Sequence, residues 1–531
     1  MSERLNDATW WRDGVFYQIY VRSFSDSNGD GVGDLQGIID HLDDLAWLGV
    51  DGLWLSPINP SPNLDWGYDV TDYKGVDPEL GDLETLDRLV TEADARGIRI
   101  LLDLVPNHTS DRHPWFVDAR TARDSAFRDR YVWAEPRPDG SPPNNWHSMF
   151  GGSAWELDPR TDEYFLHNFL VEQPDLNWWH DDVRREFDDI LRFWFERGIA
   201  GFRIDVAHGL VKDHELRDNP AVELGDQTDV IARYQRFVYN MSRPEVHDVL
   251  RSWRVIANGF DPPRVLVGET FVFALAQLSD FYGAADELHL CFNFAFVHAP
   301  LRAGSLREIV ETTEAALAPH AQPVWTGSNH DAGRFSSRWC GDHPDRVRCA
   351  LMILLTLRGT PFLYYGDEIG MTDEPVPDDQ IRDVIAKRLS GIERDRSRTP
   401  MRWTADPGAG FSTDGVRPWL PVGRIGSVNV AEQREDRHSL LHLCRDLIAL
   451  RRGTPDLRSG VYESLPTPAD VWAWRRGDDI AAAVNLSDEH ALIEVGPGRV
   501  LIATERQRDG DHVGPTLDLG PWQGVVLRRG D

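Results

Sequence analysis

Ile98-Arg99-Ile100-Leu101-Leu102-Asp103-Leu104-Val105-Pro106-Asn107-His108 is the stretch from which the fold is read. Its first eight residues form a short apolar run with the length and composition of a strand rather than a helix. Before it, from Leu83 to Arg96, apolar residues recur every three or four positions, as on one face of a helix. After it come Asn107 and His108, polar side chains placed where a strand would give way to a loop. The same unit recurs along the chain, with apolar runs at Val15 to Val21, Val50 to Ser56, Ile98 to Val105, Ala200 to Val206, Val265 to Glu269, Leu288 to Phe294, Pro323 to Asn329 and Pro361 to Gly366. Further helical periods at Leu35 to Leu48 and Asp181 to Arg197 fall between them. Eight strands alternating with helices predict a parallel α/β sheet closed into a (β/α)8 TIM barrel.

Two departures from this rhythm predict additions to the barrel. Residues 108–172 are rich in Pro, Gly, Asn, Trp and Asp and carry little helical period, which marks an inserted subdomain after the third strand. Beyond Thr454 the chain changes to alternating strands at Val471 to Arg475, Ile480 to Val484, Ala491 to Val495 and Gly524 to Leu527, separated by Gly, Pro and Asp. That pattern predicts a C-terminal antiparallel β domain. The expected division is therefore 1–107 and 173–454 for the barrel, 108–172 for the insert and 455–531 for the β domain.

Composition narrows the function. The 531 residues suffice for a large core, and 41% hydrophobic with 27% charged residues is ordinary globular usage. No segment approaches the roughly 20 apolar residues of a membrane span. A formal charge of -31, from 87 acidic against 56 basic residues, repels nucleic acid and anionic membranes, so neither is an expected partner. The start MSERLNDATWWRDG lacks the basic and apolar regions of a signal peptide, and Cys291, Cys340, Cys349 and Cys444 are too sparse for a zinc or disulfide framework. Cytoplasmic residence is expected.

In a barrel of this kind the chemistry sits at the C-terminal ends of the strands. There the sequence places Asp103 and His108 after strand three, Arg203 and Asp205 after strand four, Glu269 after strand five, and His330 with Asp331 after strand seven. One such acid alone could be a helix cap. Three carboxylates (Asp205, Glu269, Asp331) converging on one opening repel and desolvate one another, which separates their pKa values into an acid and an ionised partner. Arg203 lies two residues before Asp205, on the same face of its strand, where a guanidinium keeps that carboxylate charged. Glycoside hydrolysis needs this split.

These segments resemble the signature regions of the α-amylase superfamily, glycoside hydrolase family 13, over nearly the whole chain. The resemblance implies Asp205 as nucleophile, Glu269 as general acid/base and Asp331 as the third acid that clasps sugar hydroxyls. It implies Arg203, His108 and His330 as sugar-pocket residues. Gln173-Pro174-Asp175-Leu176-Asn177 is similar to the marker of the α-glucosidase and oligo-1,6-glucosidase branch, which is mainly exo-acting. In that branch Asp65, Tyr68 and Arg398 match residues that close the pocket around a terminal glucose. Phe150 and Trp155, in the insert, are candidate pocket walls. A small oligosaccharide or glucoside is the implied substrate. A transglucosylase, trehalose synthase or sucrose isomerase on the same scaffold would share the covalent step.

Asp26-Ser27-Asn28-Gly29-Asp30-Gly31-Val32-Gly33-Asp34 sets oxygen ligands at alternate positions with glycines that permit a tight wrap, suited to Ca²⁺ or Mg²⁺. A solvated acidic turn is the alternative. It is no EF-hand, since Gly37 stands at the twelfth position where a bidentate Glu is required. The resemblance implies one structural Ca²⁺ held by Asp26, Asn28, Asp30, Asp34 and the Val32 carbonyl. The residue after the expected nucleophile is Val206, and valine there tends to accompany α-1,6 specificity in this branch. The following Ala207-His208-Gly209 resembles α-glucosidases acting on maltose. The expectation is α-1,4 linkage favoured, with some α-1,6 tolerance.

Overall fold

The computed structural model describes residues 8–222, 235–272, 274–388, 393–426 and 428–530. Eight parallel strands, β1 (Phe16–Ile19), β2 (Gly52–Leu55), β3 (Arg99–Leu104), β4 (Gly201–Ile204), β5 (Val265–Gly268), β6 (Leu290–Cys291), β7 (Val324–Thr326) and β8 (Thr360–Tyr364), pair in chain order with β8 returning to β1. A single parallel bridge from Leu290 to Gln322 joins β6 to the approach of β7 and closes the ring. Seven of the eight predicted runs are these strands trimmed at their ends, and the eighth strand starts one residue before its run, at Thr360. The sixth run loses most, because Asn293 caps a helix at Phe294–His298 by accepting from the Phe296 N–H at 3.1 Å.

Local chemistry explains the helices around the ring. Helix Leu83–Ala95 starts where the Asp82 carboxylate accepts the Thr85 N–H at 2.8 Å, and it buries Leu86, Leu89 and Ala93 against the sheet. Helix Asp181–Glu196 turns Val183, Phe187, Ile190, Leu191, Trp194 and Phe195 inward. The predicted helix over 35–48 is two, Leu35–Asp40 and Leu42–Leu48, broken at His41.

The segment after β3 carries a short helix, Pro114–Ala119, and a three-stranded antiparallel sheet, Trp133–Ala134, Glu163–Leu166 and Trp155–Asp158. The chain ends in antiparallel sheets, among whose strands Val471–Arg476, Ile480–Asn485, Ala491–Glu494 and Gly524–Arg529 coincide closely with prediction. Strands Tyr462–Leu465, Gly498–Ala503, His512–Val513 and Thr516–Leu519 were not predicted. Helix Pro344–Thr356, buried along nearly its whole length, is clasped between helix Leu440–Gly453 and this β region. Cys291, Cys340, Cys349 and Cys444 are buried free thiols. Among the described residues no helix is long and apolar enough to cross a membrane.

Candidate active site

Sheet register builds the site. Asp103 on β3 pairs with Arg203 on β4, and Ile204 pairs with Gly268 on β5, so Asp205 and Glu269 emerge side by side. Main-chain bonds from Asp205 N–H to the Leu104 carbonyl (2.8 Å) and from Glu269 N–H to the Ile204 carbonyl (2.9 Å) carry the ladder up to this rim. Arg203 is the hub. Its Nη1 donates to Asp103 Oδ1 at 2.8 Å and to Asp205 Oδ1 at 2.7 Å, while Nη2 reaches Glu269 Oε2 at 2.9 Å. Three carboxylates thus share one buried guanidinium, which also lies over the Trp54 ring. Burial pushes the Asp205 carboxyl up; Arg203 pulls it down, and Glu269 and Asp103 push it up again. Burial likewise raises Asp103 to about 6 against the pull of Arg203. Against the one positive charge, Asp205 and Asp103 are both raised and hold protons jointly rather than singly.

Across the opening, Asp331 is held by two arginines and a histidine. Arg394 Nη1 and Arg398 Nη2 each lie 3.0 Å from its Oδ1, and His330 Nε2 lies 3.0 Å from Oδ2. Burial alone would raise this carboxyl, but His330, Arg394 and Arg398 hold it below the usual carboxylate range. His330 is neutral, since burial pushes it down to about 3 despite Asp331. Its Nδ1 accepts from Gln18 Nε2 at 2.8 Å, which leaves the proton on Nε2, toward Asp331 and the Tyr68 hydroxyl. The Tyr68 hydroxyl in turn donates to Asp103 Oδ2 at 2.9 Å.

The insert supplies the other wall. Asp175, fully buried, accepts from both Asn168 N–H groups, main-chain at 2.7 Å and side-chain at 2.6 Å, and from Asn107 Nδ2 at 3.0 Å, and pairs with Lys212 Nζ at 2.8 Å. Gln173 Nε2 donates to Asp65 Oδ2 at 3.2 Å. The 173–177 segment therefore knots the insert to β3 and β4 behind the sugar-pocket residues. His108 donates from Nε2 to the Tyr68 carbonyl at 3.1 Å, and burial lowers its pKa.

These elements enclose a cavity of about 180 Å³ whose lining includes Asp65, Tyr68, His108, Phe150, Asp205, Glu269 and Asp331. Arg203, His330 and Arg398 stand one layer behind, each bonded to a lining acid. Two expectations require correction. Arg398, matched to the residues that close the pocket, is not in its lining: its guanidinium is bonded to Asp331 and to the His330 carbonyl, at 2.9 Å from Nε. Arg394, four residues earlier, lines the cavity, with Nη2 2.8 Å from Asp65 and 2.8 Å from Asp383. Trp155 is not a wall: it lies in the insert's own core against Trp146, its Nε1 donating to Asn144 Oδ1 at 2.7 Å.

Arg394, His208, Phe169, Phe271, Met149, Met241 and Ile385 line the cavity without having been singled out from sequence. Only Arg394 left a usable signal, as one of three arginines in the Arg394-Asp395-Arg396-Ser397-Arg398 run. The apolar walls come from loops and from the short helix Val384–Arg388, whose residues share no spacing.

The 26–34 loop lies on the connection after β1. Asp26 and Asp34 are buried, Asn28 and Asp30 exposed. Asp26 accepts the N–H groups of Gly29 at 2.7 Å and Gly31 at 2.8 Å, and Asp34 accepts Gly37 N–H at 2.7 Å as the cap of helix Leu35–Asp40. Gly29 and Gly31 take φ of 80° and 92°, and a Cβ on Gly31 would stand 2.4 Å from the Arg417 carbonyl oxygen. Among the described residues no three Asp, Glu, His or Cys side chains converge as a metal cluster, so a cation here would draw on the Asn28 amide and on carbonyl oxygens as well.

A barrel with this acid set at its rim matches known proteins along its length. Residues 18–460 match the family model described as alpha amylase, catalytic domain. The chain is 40% identical over 513 residues to a probable α-glucosidase of Rhizobium meliloti (strain 1021), covering 92% of this chain and 91% of that protein. It is 38% identical over 526 residues to an oligo-1,6-glucosidase of Heyndrickxia coagulans, covering 90% and 92%. The solved structure of an α-glucosyl transfer enzyme superposes with a TM-score of 0.91 at 38% identity, covering 98% of this chain and 99% of that one. Fold, site and these matches define a glycoside hydrolase on a (β/α)8 barrel. The chain belongs to the α-amylase family, glycoside hydrolase family 13, in the branch of the α-glucosidases and oligo-1,6-glucosidases.

Proposed function

We propose that this chain is a retaining, exo-acting α-glucosidase that releases α-glucose from the non-reducing end of short α-glucosides, α-1,4 linkages favoured. The observation that carries the reading is the Arg203 guanidinium shared by Asp205 and Glu269 in a pocket walled by the Asp65–Arg394 pair. Asp205, bonded to Arg203, attacks the anomeric carbon and forms a covalent β-glucosyl ester. Glu269 carries the cluster's proton to the leaving oxygen and then takes one from the incoming water, so that two inversions restore the α configuration. Asp331 grips the sugar hydroxyls. The Asp65–Arg394 pair blocks the far end of the pocket and admits chain ends alone. Proton NMR of maltose hydrolysis tests this: α-glucose should be the first new sugar, and initial β-glucose rejects the reading.

A second reading, glucosyl transfer, is favoured by the likeness to the solved α-glucosyl transfer enzyme. Both readings share the covalent step. Accumulation of transfer products from concentrated maltose, beyond free glucose, would favour it.

We further propose that the 26–34 loop holds one structural Ca²⁺, with Mg²⁺ the alternative. Its oxygen-only donors suit a hard cation, and its place after β1 suits stabilisation rather than chemistry. Cytoplasmic residence is proposed on the four free, buried thiols, which suit a reducing compartment.

A further inference from the structure

Val206, directly after Asp205, has a φ of 45°, in the left-handed region that a β-branched side chain rarely enters. Such conformations persist where surroundings over-determine them, and here three constraints can be named. Gly209 N–H donates to the Val206 carbonyl at 2.8 Å and closes a tight turn. Ala207 N–H donates to the Glu269 carbonyl at 3.0 Å. Val206 N–H donates to Glu269 Oε2 at 3.1 Å. The turn also needs Gly209 itself, since a Cβ there would lie 2.6 Å from Val206 Cγ1.

We propose that Val206 is a positioning residue for Glu269, acting through its main chain. The left-handed turn aims the Val206 N–H at Oε2, the oxygen that already accepts from Arg203 Nη2 at 2.9 Å. A protonated carboxyl has one carbonyl-type oxygen, which accepts, and one hydroxyl oxygen, which donates. Two donors on Oε2 make it the accepting oxygen and reserve Oε1 for the proton delivered to the leaving group. The charged groups facing Glu269 are Arg203, Asp205 and Asp103 from the neighbouring strands; His208, whose Nδ1 lies 3.3 Å from the Glu269 carbonyl, is titratable but held neutral by burial, which lowers it to about 4. Val206 N–H is the main-chain donor among these partners, and its effect is separate from that of the valine side chain, which lines the cavity.

The inference rests on Glu269 being the acid/base, and the test separates the two. Replacing Val206 in the full chain by its α-hydroxy acid, an ester in place of the amide, removes the N–H and keeps the side chain. An anion that loses a donor holds its proton more tightly. The basic limb of kcat/KM should therefore move to higher pH, and kcat on maltose should fall roughly tenfold, more than on an activated aryl glucoside. Gly209→Ala, which pushes on Val206 Cγ1, should shift the limb the same way. Val206→Gly, which keeps the N–H and accepts the same φ, should leave it in place. Glu269→Gln should abolish the limb. If the limb survives in Glu269→Gln, the assignment of Glu269 is what fails. If it vanishes there but stays put in both the ester and Gly209→Ala, the role given to Val206 is wrong.

Discussion

Arg394→Met keeps the aliphatic stem and removes a guanidinium that three acids share. The loss falls unevenly. Asp331 keeps Arg398 and His330, both at 3.0 Å. Asp383 keeps the Ile385 N–H at 3.0 Å and the main-chain N–H of residue 394 at 3.1 Å. Asp65, 6% exposed, is left with the Gln173 amide at 3.2 Å. An uncompensated buried carboxylate costs about 3–5 kcal/mol, and that is the stability loss expected in urea unfolding at neutral pH. Adding Asp65→Asn removes the orphaned charge, so the double variant should fall short of the summed losses by about 2 kcal/mol. With the far wall undone, kcat/KM on maltose should fall ~100-fold, the worth of two lost charge-assisted contacts. The pH dependence has a sign. The Asp331 carboxyl is depressed in the fold, so its contribution is present above its unfolded pKa and is lost as pH falls through the depressed value. Without Arg394 the folded pKa moves back toward the unfolded one, so this contribution should be smaller and its loss complete at higher pH. A single-variant cost under ~1 kcal/mol, the value of an exposed pair, together with strict additivity in the double, would refute the buried-clamp reasoning.

Three further outcomes are expected. Prolonged chelation should lower the melting temperature, and an unchanged melting curve with no metal by elemental analysis would remove the calcium assignment. Glu368 is buried and accepts the Tyr17 hydroxyl at 2.9 Å; burial moves it from 4.5 to about 7. For an acid raised in the fold, stability is lost as pH climbs through that window. Glu368→Gln should therefore gain on the order of 3 kcal/mol relative to wild type between acid and alkaline pH, and parallel stability curves would contradict this. Maltose should exceed isomaltose in specificity constant, by a margin within the 1–3 kcal/mol or so that one pocket wall can supply; a strong isomaltose preference reversed by Val206→Thr would overturn the linkage reading.

Much of the architecture was legible because it rests on short-range pattern. Leu83 to Arg96 repeats at helical spacing and Ile98 to Val105 is an unbroken apolar run, and both became the predicted elements within a residue or two. Errors fell where a local cap or turn overrode the pattern, as at His41 and Asn293. The polar residues at the strand ends were legible for the same reason, since a strand's end is a position in sequence before it is a position in space.

What the sequence determined by itself was which residues arrive at the rim: Asp103, Arg203, Asp205, Glu269 and Asp331 are each tied to a strand whose periodicity announces it. Tertiary structure alone decided how charge is shared among them. The β3–β4–β5 register sets one Arg203 guanidinium against three carboxylates, and a loop about 330 residues from Asp65 supplies Arg394 as its partner. Hydrogen bonding and ion pairing act over about 3 Å in space, whereas sequence patterning reports neighbours along the chain. In the sequence the resemblance singles out Arg398 and passes over Arg394, four residues earlier. The direction of each side chain, set by what surrounds its turn, assigned one to Asp65 and left the other to hold Asp331.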